Sequence, residues 1–307
     1  MILHYERLHG YPVVFKAMTG LRVAQFDDLV RAVLPDFAAA EQRRLMRPGR
    51  RRAPGAGHPV ALAPRNQLLL TVIWLRVYPI YEVLASLFGV SDTTVGRVIA
   101  RVLPLLEASG RATMRLPDPG RRHRCQLDAL LADTPELAVV IDSFEQRVQR
   151  HKDRAVADTH YSGKKKQHPL KSQVAVDEET GQIVDVAASV PGPTADITLL
   201  DDSGLLGRLP PGVGAIGDLA YTGIDKRHPA GLGAAPRRKP RGEARPPEDL
   251  AYTRAFSRRR IVVEHSSGRV RRYQALTQMD RHHRAQHTAR VRAVAGLVNR
   301  QRRAVAA

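Results

Sequence analysis

Apolar residues three and four positions apart mark the first hundred residues of this 307-residue chain, whereas past residue 136 they gather into short runs and alternations. The first spacing is that of amphipathic helices and the second that of strands. The segment RVAQFDDLVRAVLPDF, 22 to 37, carries a helical stripe expected to stop before Pro35, because proline inside a helix removes a hydrogen bond and crowds the preceding turn. Further helices are predicted at about 65–78, 80–88 and 91–108. Between the last two, Gly89 stands where a tight turn needs a left-handed residue, and Ser91 is placed to cap the next helix. The combination predicts a helix-turn-helix over about 65–103, with Asp92, Thr93, Thr94 and Arg97 on the exposed start of its second helix.

The strongest strand signals are LAVVIDS (137–143), SQVAVDEETGQIVDVAASV (172–190) and GVGAIGDLAY (212–221). The middle segment holds two alternating runs joined by DEETGQ, a hairpin. TADITLLDDSGLLGRL, 194 to 209, has helical spacing of Ile197, Leu200 and Leu205 behind a capping Thr194. Three strands, a helix, a strand and then helices argue for an α/β layer with a mixed sheet. The loop-like stretch RLPDPGRRHRCQLDA, 115 to 129, marks the break. The expected division is a helical domain over 1–115, a linker over 116–135, an α/β domain over 136–300 and a basic tail over 301–307. The first forty residues carry no assignable role.

Charge narrows the partners. Lys and Arg total 49 against 30 Asp and Glu, a formal charge of +19, and the basic residues recur in runs at 47–54, 163–171, 236–245 and 257–272. A polyanion, and nucleic acid above all, is the natural partner. A single cysteine, Cys125, excludes an intramolecular disulfide and a multi-cysteine zinc site. The opening residues are charged too early for a signal peptide, and the most apolar window, 67–90, is broken by Arg76, Pro79 and Glu82, so no membrane partner is expected and the chain is placed in the cytoplasm, at the nucleoid of a bacterial host. The run SGKKKQ lacks the offsets of a phosphate-binding loop, so no nucleotide cofactor is implied.

Three carboxylates stand out. Asp142 interrupts an apolar run, and an ionised carboxylate there costs several kcal/mol unless paired; the expectation is a strand end reaching water or a cation. Asp218 ends the glycine-spaced run GVGAIGD in the same way. Glu264 recurs with Ile261, Gly268 and Arg271 at helical spacing, which puts it on the expected inward stripe of a late helix, with Gly268 leaving room against the sheet. Two strand-end aspartates and a helical glutamate meeting at one point would suit a two-metal phosphoryl-transfer site, since hard divalent cations take carboxylate oxygens.

The segments VVIDSFEQRVQR, YSGKKKQHPLKSQVAVDEETGQIVDVA, GPTADITLL, IGDLAYTGI and YTRAFSRRRIVVEHSSGRVRRYQAL, in that order, resemble the core of bacterial insertion-sequence DDE transposases of the branch similar to Harbinger-type transposases. The likeness covers roughly 60–300 and takes in the helix-turn-helix. It implies a ribonuclease-H-like α/β catalytic domain behind an all-α DNA-binding domain. It also implies catalytic and metal-binding roles for Asp142, Asp218 and Glu264, with Mg²⁺ or Mn²⁺, two ions, as cofactor. The implied partners are double-stranded DNA, as element terminal repeats and as target, with self-association on DNA. The activity implied is cutting and joining; the alternatives are a silent, transposase-derived DNA-binding protein and a nuclease that cuts without joining. Thr253 and Arg271 or Arg272 stand where the family often has Asn and Lys.

Lys164, Lys165, Lys166 and Lys171, entering a strand beside the site, are expected to hold DNA phosphates. Arg260, one turn before Glu264, is expected to pair with it or reach a phosphate. Asp196 reads as a first-turn helix acid favoured by the dipole. His282, His283 and His287 read as a solvated basic helix without a third zinc ligand, and Cys125 as inert.

Overall fold

A computed structural model of the chain describes residues 3–46, 48–49, 61–120, 127–239, 242 and 244–302. Cys125 and most of the basic run at 47–54 lie outside the described residues. The chain divides into two units, one of Met1–Thr113, Arg272–Leu276 and Arg292–Ala307, the other of Met114–Arg271 and Thr277–Val291. The residues from 292 onward, expected with the α/β segment and the tail, thus group with the helical unit.

In the helical unit the order is α1 (Tyr5–Leu8), α2 (Pro12–Thr19), α3 (Val23–Leu45), α4 (Pro64–Val77), α5 (Tyr81–Phe88) and α6 (Asp92–Arg111). Helix α4 is enclosed: every residue from Asn66 to Leu75 is buried, and the polar ones among them, Asn66, Gln67 and Thr71, are hydrogen-bonded. Tyr5, Phe15 and Phe26 pack ring on ring, and the Tyr5 amide donates to Asn66 Oδ1 at 2.7 Å, so the unassigned first forty residues contribute side chains to the core. Pro35 does not end α3. The helix runs through it to Leu45, since Val33 and Phe37 on the buried face hold both halves while Pro35 lies exposed.

Helices α5 and α6 turn through 97°, within the range of a helix-turn-helix. Gly89 closes α5 in the left-handed region at φ 65°, and Ser91 Oγ accepts from the Thr94 amide at 3.2 Å. Among the described residues no single helix is long and apolar enough to cross a membrane.

The second unit is built on a sheet of β1 (Leu137–Arg147), β2 (Pro169–Asp177), β3 (Ile183–Val186), β4 (Val190–Pro191), β5 (Val213–Ile216) and β6 (Gly233–Ala234). The order is β3-β2-β1-β5-β6, with β4 also on β2. The pairs β1–β2, β2–β3 and β2–β4 are antiparallel, while β1–β5 and β5–β6 are parallel. This is the mixed α/β sheet that the ribonuclease-H-like expectation calls for. Its helices are α7 (Arg154–His160), α8 (Asp196–Ser203), α9 (Leu205–Arg208), α10 (Ile224–Arg227) and α11 (Pro247–Arg271), while α12 (His287–Arg302) starts in this unit and from Arg292 is counted with the helical one. One core joins Val139, Ile141 and Val213 to Leu200, Leu205 and Tyr221.

His287 departs from the solvated helix expected of its segment. It is fully buried, its Nε2–H donating to Gln146 and its Nδ1 accepting from the Ser189 hydroxyl, both at 2.8 Å.

Candidate active site

Strand β1 runs five residues past Asp142, so this carboxylate sits in mid-strand and not at the strand end expected of it. The reason lies in its two neighbours. On one side β2 accompanies β1 all the way to Arg147↔Pro169; on the other β5 pairs only from Leu137↔Val213 to Val140↔Ile216 and then turns off. Asp142 and Asp218 each lie two residues past that last parallel pair, so both carboxylates stand at the level where β5 leaves the sheet. Asp218 does end a strand segment: its Oδ1 accepts from the Ala220 amide at 2.9 Å and caps the turn Leu219–Tyr221. Gly217 permits the turn, because a Cβ there would lie 2.6 Å from the Tyr221 ring.

Residues alternate across a strand, which separates two groups of polar side chains. Asp142 faces α11, where the Ser267 hydroxyl donates to its Oδ2 at 3.0 Å. Burial pushes the Asp142 carboxyl up; the bonds from Ser267 and the Ser143 amide and the charges of Arg260 and Arg271 oppose it. Ser143, on the other face, donates to Asp196 at 2.5 Å, and Lys171 Nζ lies 3.2 Å from the same carboxylate. Tyr221 donates to Gln173 at 3.2 Å, and its phenol is raised well out of its usual range by burial and then by the charges of Asp196, Asp142 and Asp218.

Glu264 does lie on α11, but the inward stripe of that helix is Val263, Ser266, Ser267 and Val270. Glu264 and Gly268 are exposed, Ile261 is 51% exposed, and nothing stands within 4 Å of a Cβ added at Gly268. The error has a physical source. Two buried hydroxyls with specific acceptors, Ser266 on the Gly181 carbonyl at 2.9 Å and Ser267 on Asp142, take positions that hydropathy would give to apolar residues. Ser267, three residues after Glu264, is the hydrogen-bond partner of Asp142 that sequence reasoning missed; the adjacent serines inside the valine stripe were the available signal.

The three arginines before Glu264 part company. Arg258 is exposed. Arg259 grips Glu178 through Nε and Nη2, both at 2.5 Å, and also donates to Thr134 and the Pro135 carbonyl. Arg260 is near enough to Asp142 to lower its carboxyl, and its own Nε is buried with no hydrogen-bond partner among the described residues.

The basic loop also divides. Lys164 and Lys166 are exposed; Lys165 is held by Glu145 at 2.8 Å. Lys171 does not belong with them: it is 7% exposed, donates to the Thr194 carbonyl at 2.6 Å and pairs with Asp196 on the face away from α11. In the helix-turn-helix, Asp92, Thr93 and Arg97 are exposed and Thr94 is half-buried on the first turns of α6. The Asp92 carboxylate is occupied by the Thr93 amide at 2.6 Å, a role in the helix start rather than toward a polyanion.

Among the described residues no group of three or more His, Cys, Asp or Glu side chains is gathered closely enough to hold a metal ion. Asp142 and Asp218, at one level of the sheet, nonetheless offer the hard carboxylate oxygens that a divalent cation takes.

Residues 141–299 match a family described as DDE superfamily endonuclease, and residues 60–112 match one described as the helix-turn-helix of DDE superfamily endonuclease. The chain is also similar to a probable transposase for insertion sequence element IS702 from Microchaete diplosiphon, at 27% identity over 285 residues, which is 93% of each chain. No solved structure matches it significantly. With the family match spanning more than half of its residues and the helix-turn-helix in its place ahead of the sheet, the chain belongs to the DDE superfamily endonucleases.

Proposed function

We propose that the chain is a transposase that binds the ends of an insertion element, cuts the DNA there and joins the freed end to a target, with Asp142, Asp218 and Glu264 as its catalytic carboxylates. The observation that carries this reading is the shared level of Asp142 and Asp218 where β5 leaves β1. A relative bearing the name transposase, similar over 93% of both chains, supports it.

Asp142 and Asp218 would hold divalent Mg²⁺ or Mn²⁺; Glu264, exposed on α11, is the third carboxylate that the resemblance to DDE transposases implies. When bound, such ions activate the attacking oxygen and stabilise the leaving one. The chain's own groups do the positioning. Ser267 fixes the Asp142 carboxylate, and the apolar run before it in β1 leaves that carboxylate little freedom. Arg260 and Arg271 supply positive charge beside Asp142, suited to a scissile phosphate. Exposed Lys164 and Lys166 offer point charges to the DNA backbone. The first turns of α6 present Thr93 and Arg97 to a major groove. Assembly of copies on paired ends, inside a bacterial cell at its DNA, completes the proposal.

Duplexes carrying the inverted repeats that flank the gene provide the test. Incubated with Mg²⁺, the wild-type chain is expected to nick them at the element end and to transfer the 3′ end to a target plasmid. Asp142→Asn, Asp218→Asn and Glu264→Gln should each abolish both steps and keep end binding. Cleavage at near wild-type rate in any one of them refutes the triad, and nicking without transfer identifies a nuclease instead.

A further inference from the structure

The helical unit carries a second cationic feature, to which no residue of α6 contributes. An open cleft of about 700 Å³ is lined by Lys16 near the end of α2, Arg22 before α3, Arg76 near the end of α4, and Arg272, with Gln25 and Gln301. No carboxylate lines it, and none of its four cations forms an ion pair among the described residues. Like charges gathered in one concavity repel each other, and the natural relief is an anion of matching charge.

The cleft is built rather than incidental. Arg76 is half-buried; its Nη1 donates to the Arg272 carbonyl at 2.6 Å, and its guanidinium stands 5.2 Å from the centre of the Tyr273 ring. Tyr273 is fully buried and its hydroxyl donates to the Thr19 carbonyl at 3.3 Å, while Gln301 Nε2 donates to the Gly20 carbonyl at 2.9 Å. Gly20, at φ 77°, allows the close approach, since a Cβ there would lie 2.7 Å from the Tyr273 hydroxyl. One face of the Arg76 fork is thus fixed before any ligand arrives, and Arg22 leads into the positive end of the 23-residue α3.

We infer that this cleft is a phosphodiester-binding site, which grips the DNA backbone outside the sequence-reading helix. This rests on the chain acting on DNA. Its lining favours backbone over base: no aromatic residue lines it, and Tyr273, the ring against Arg76, is fully buried, so no exposed ring is offered for a base to stack on. Cations without a stacking platform position a duplex and read no sequence. The first residues of the chain, which also supply side chains to the core, thereby contribute Lys16 and Arg22 to DNA binding.

The test uses the full chain with Lys16, Arg22 and Arg272, all exposed, replaced together by Gln; Arg76 stays because it packs on Tyr273. Affinity is measured from 50 to 300 mM KCl for an element-end duplex and for an unrelated duplex. Each lost phosphate contact removes about 0.9 from the slope of log K against log salt, so the slope should fall by about 2 to 3 on both duplexes, with the thermal melt unchanged. Equal slopes for wild type and variant overturn the inference. Inorganic phosphate, titrated at constant ionic strength, is the second arm: if it raises the wild-type melting temperature and not the variant's while both bind DNA alike, the cleft takes a small phosphate and the inference falls. A wild-type chain that does not prefer element ends would sink the transposase reading, yet the unrelated duplex would still decide this one.

Discussion

Replacing Arg259 by Ala should unfold much of the α/β unit's margin. Arg259 and Glu178 have side chains only 8% and 15% exposed, and four guanidinium hydrogen bonds join α11 to Glu178, Thr134 and Pro135. Burial already pushes the Glu178 carboxyl up, against the pull of Arg259. Removal of the arginine leaves that carboxylate buried without its partner, a loss of about 3 to 5 kcal/mol from a total stability of about 5 to 15 kcal/mol for a typical domain. The pair itself is worth far less than its breakage, so Arg259→Met with Glu178→Met should recover most of the loss. Arg258→Ala, at the exposed neighbour, should stay within about 0.5 kcal/mol of wild type. Urea unfolding followed by far-ultraviolet circular dichroism gives the free energies, and amide exchange on β1 and β2 locates the change. Because α11 carries Glu264 and Arg260, end cleavage should fall by more than the folded fraction does. An Arg259→Ala chain within 0.5 kcal/mol of wild type would refute the argument that this pair clamps α11 to the sheet.

Three further outcomes are expected. Gly296→Ala sets a Cβ 2.2 Å from the Gly110 Cα, against an optimum of about 3.5 to 4.0 Å, and should cost about 1 to 3 kcal/mol; Gly268→Ala, in open space on α11, should gain up to about 1 kcal/mol. Thermal melts decide between them, and equal shifts would discard the close helix crossing. The His287 imidazole is pushed down to about 3, first by burial and then by Arg290, so the folded chain takes up the proton less readily than the unfolded one. Stability should be full above pH 6.5 and drop as pH falls toward 3 by up to about 1.4 kcal/mol per unit; His287→Gln should flatten that limb, and an unchanged acid limb speaks against the burial. On α6, Thr93→Ala and Arg97→Ala should each cost about 1 to 3 kcal/mol on the cognate end and little on unrelated DNA; footprints and affinities identical to wild type would remove these residues from recognition.

Local patterns sufficed for the elements whose determinants are adjacent in the chain. The α5–α6 turn follows from Gly89 in the left-handed region and Ser91 at the cap, and the β2–β3 hairpin from its alternation around a turn. The order of strands and helices likewise pointed to a mixed sheet, and the acid endings of two apolar runs picked out Asp142 and Asp218. Proline and hydropathy misled where packing across the fold outweighs a local cost. Pro35 lies inside α3 because buried Val33 and Phe37 hold the helix on both sides of it.

What the chain order could not contain is which strand leaves which neighbour, and where. Asp142 is in mid-strand because β2 stays with β1 to Arg147, and it stands level with Asp218 because β5 stops at Ile216. Only the tertiary structure turned Ser267 toward Asp142 and Glu264 toward solvent: a helix laid on a sheet shows it whichever face satisfies the most buried groups, and two serine hydroxyls with waiting acceptors outbid Ile261. In the same way Lys171 was drawn from the basic loop into a buried pair with Asp196, and Arg259 out of an arginine run onto Glu178. A run of like residues has no preferred member in sequence; a partner distant in the chain and near in space makes one.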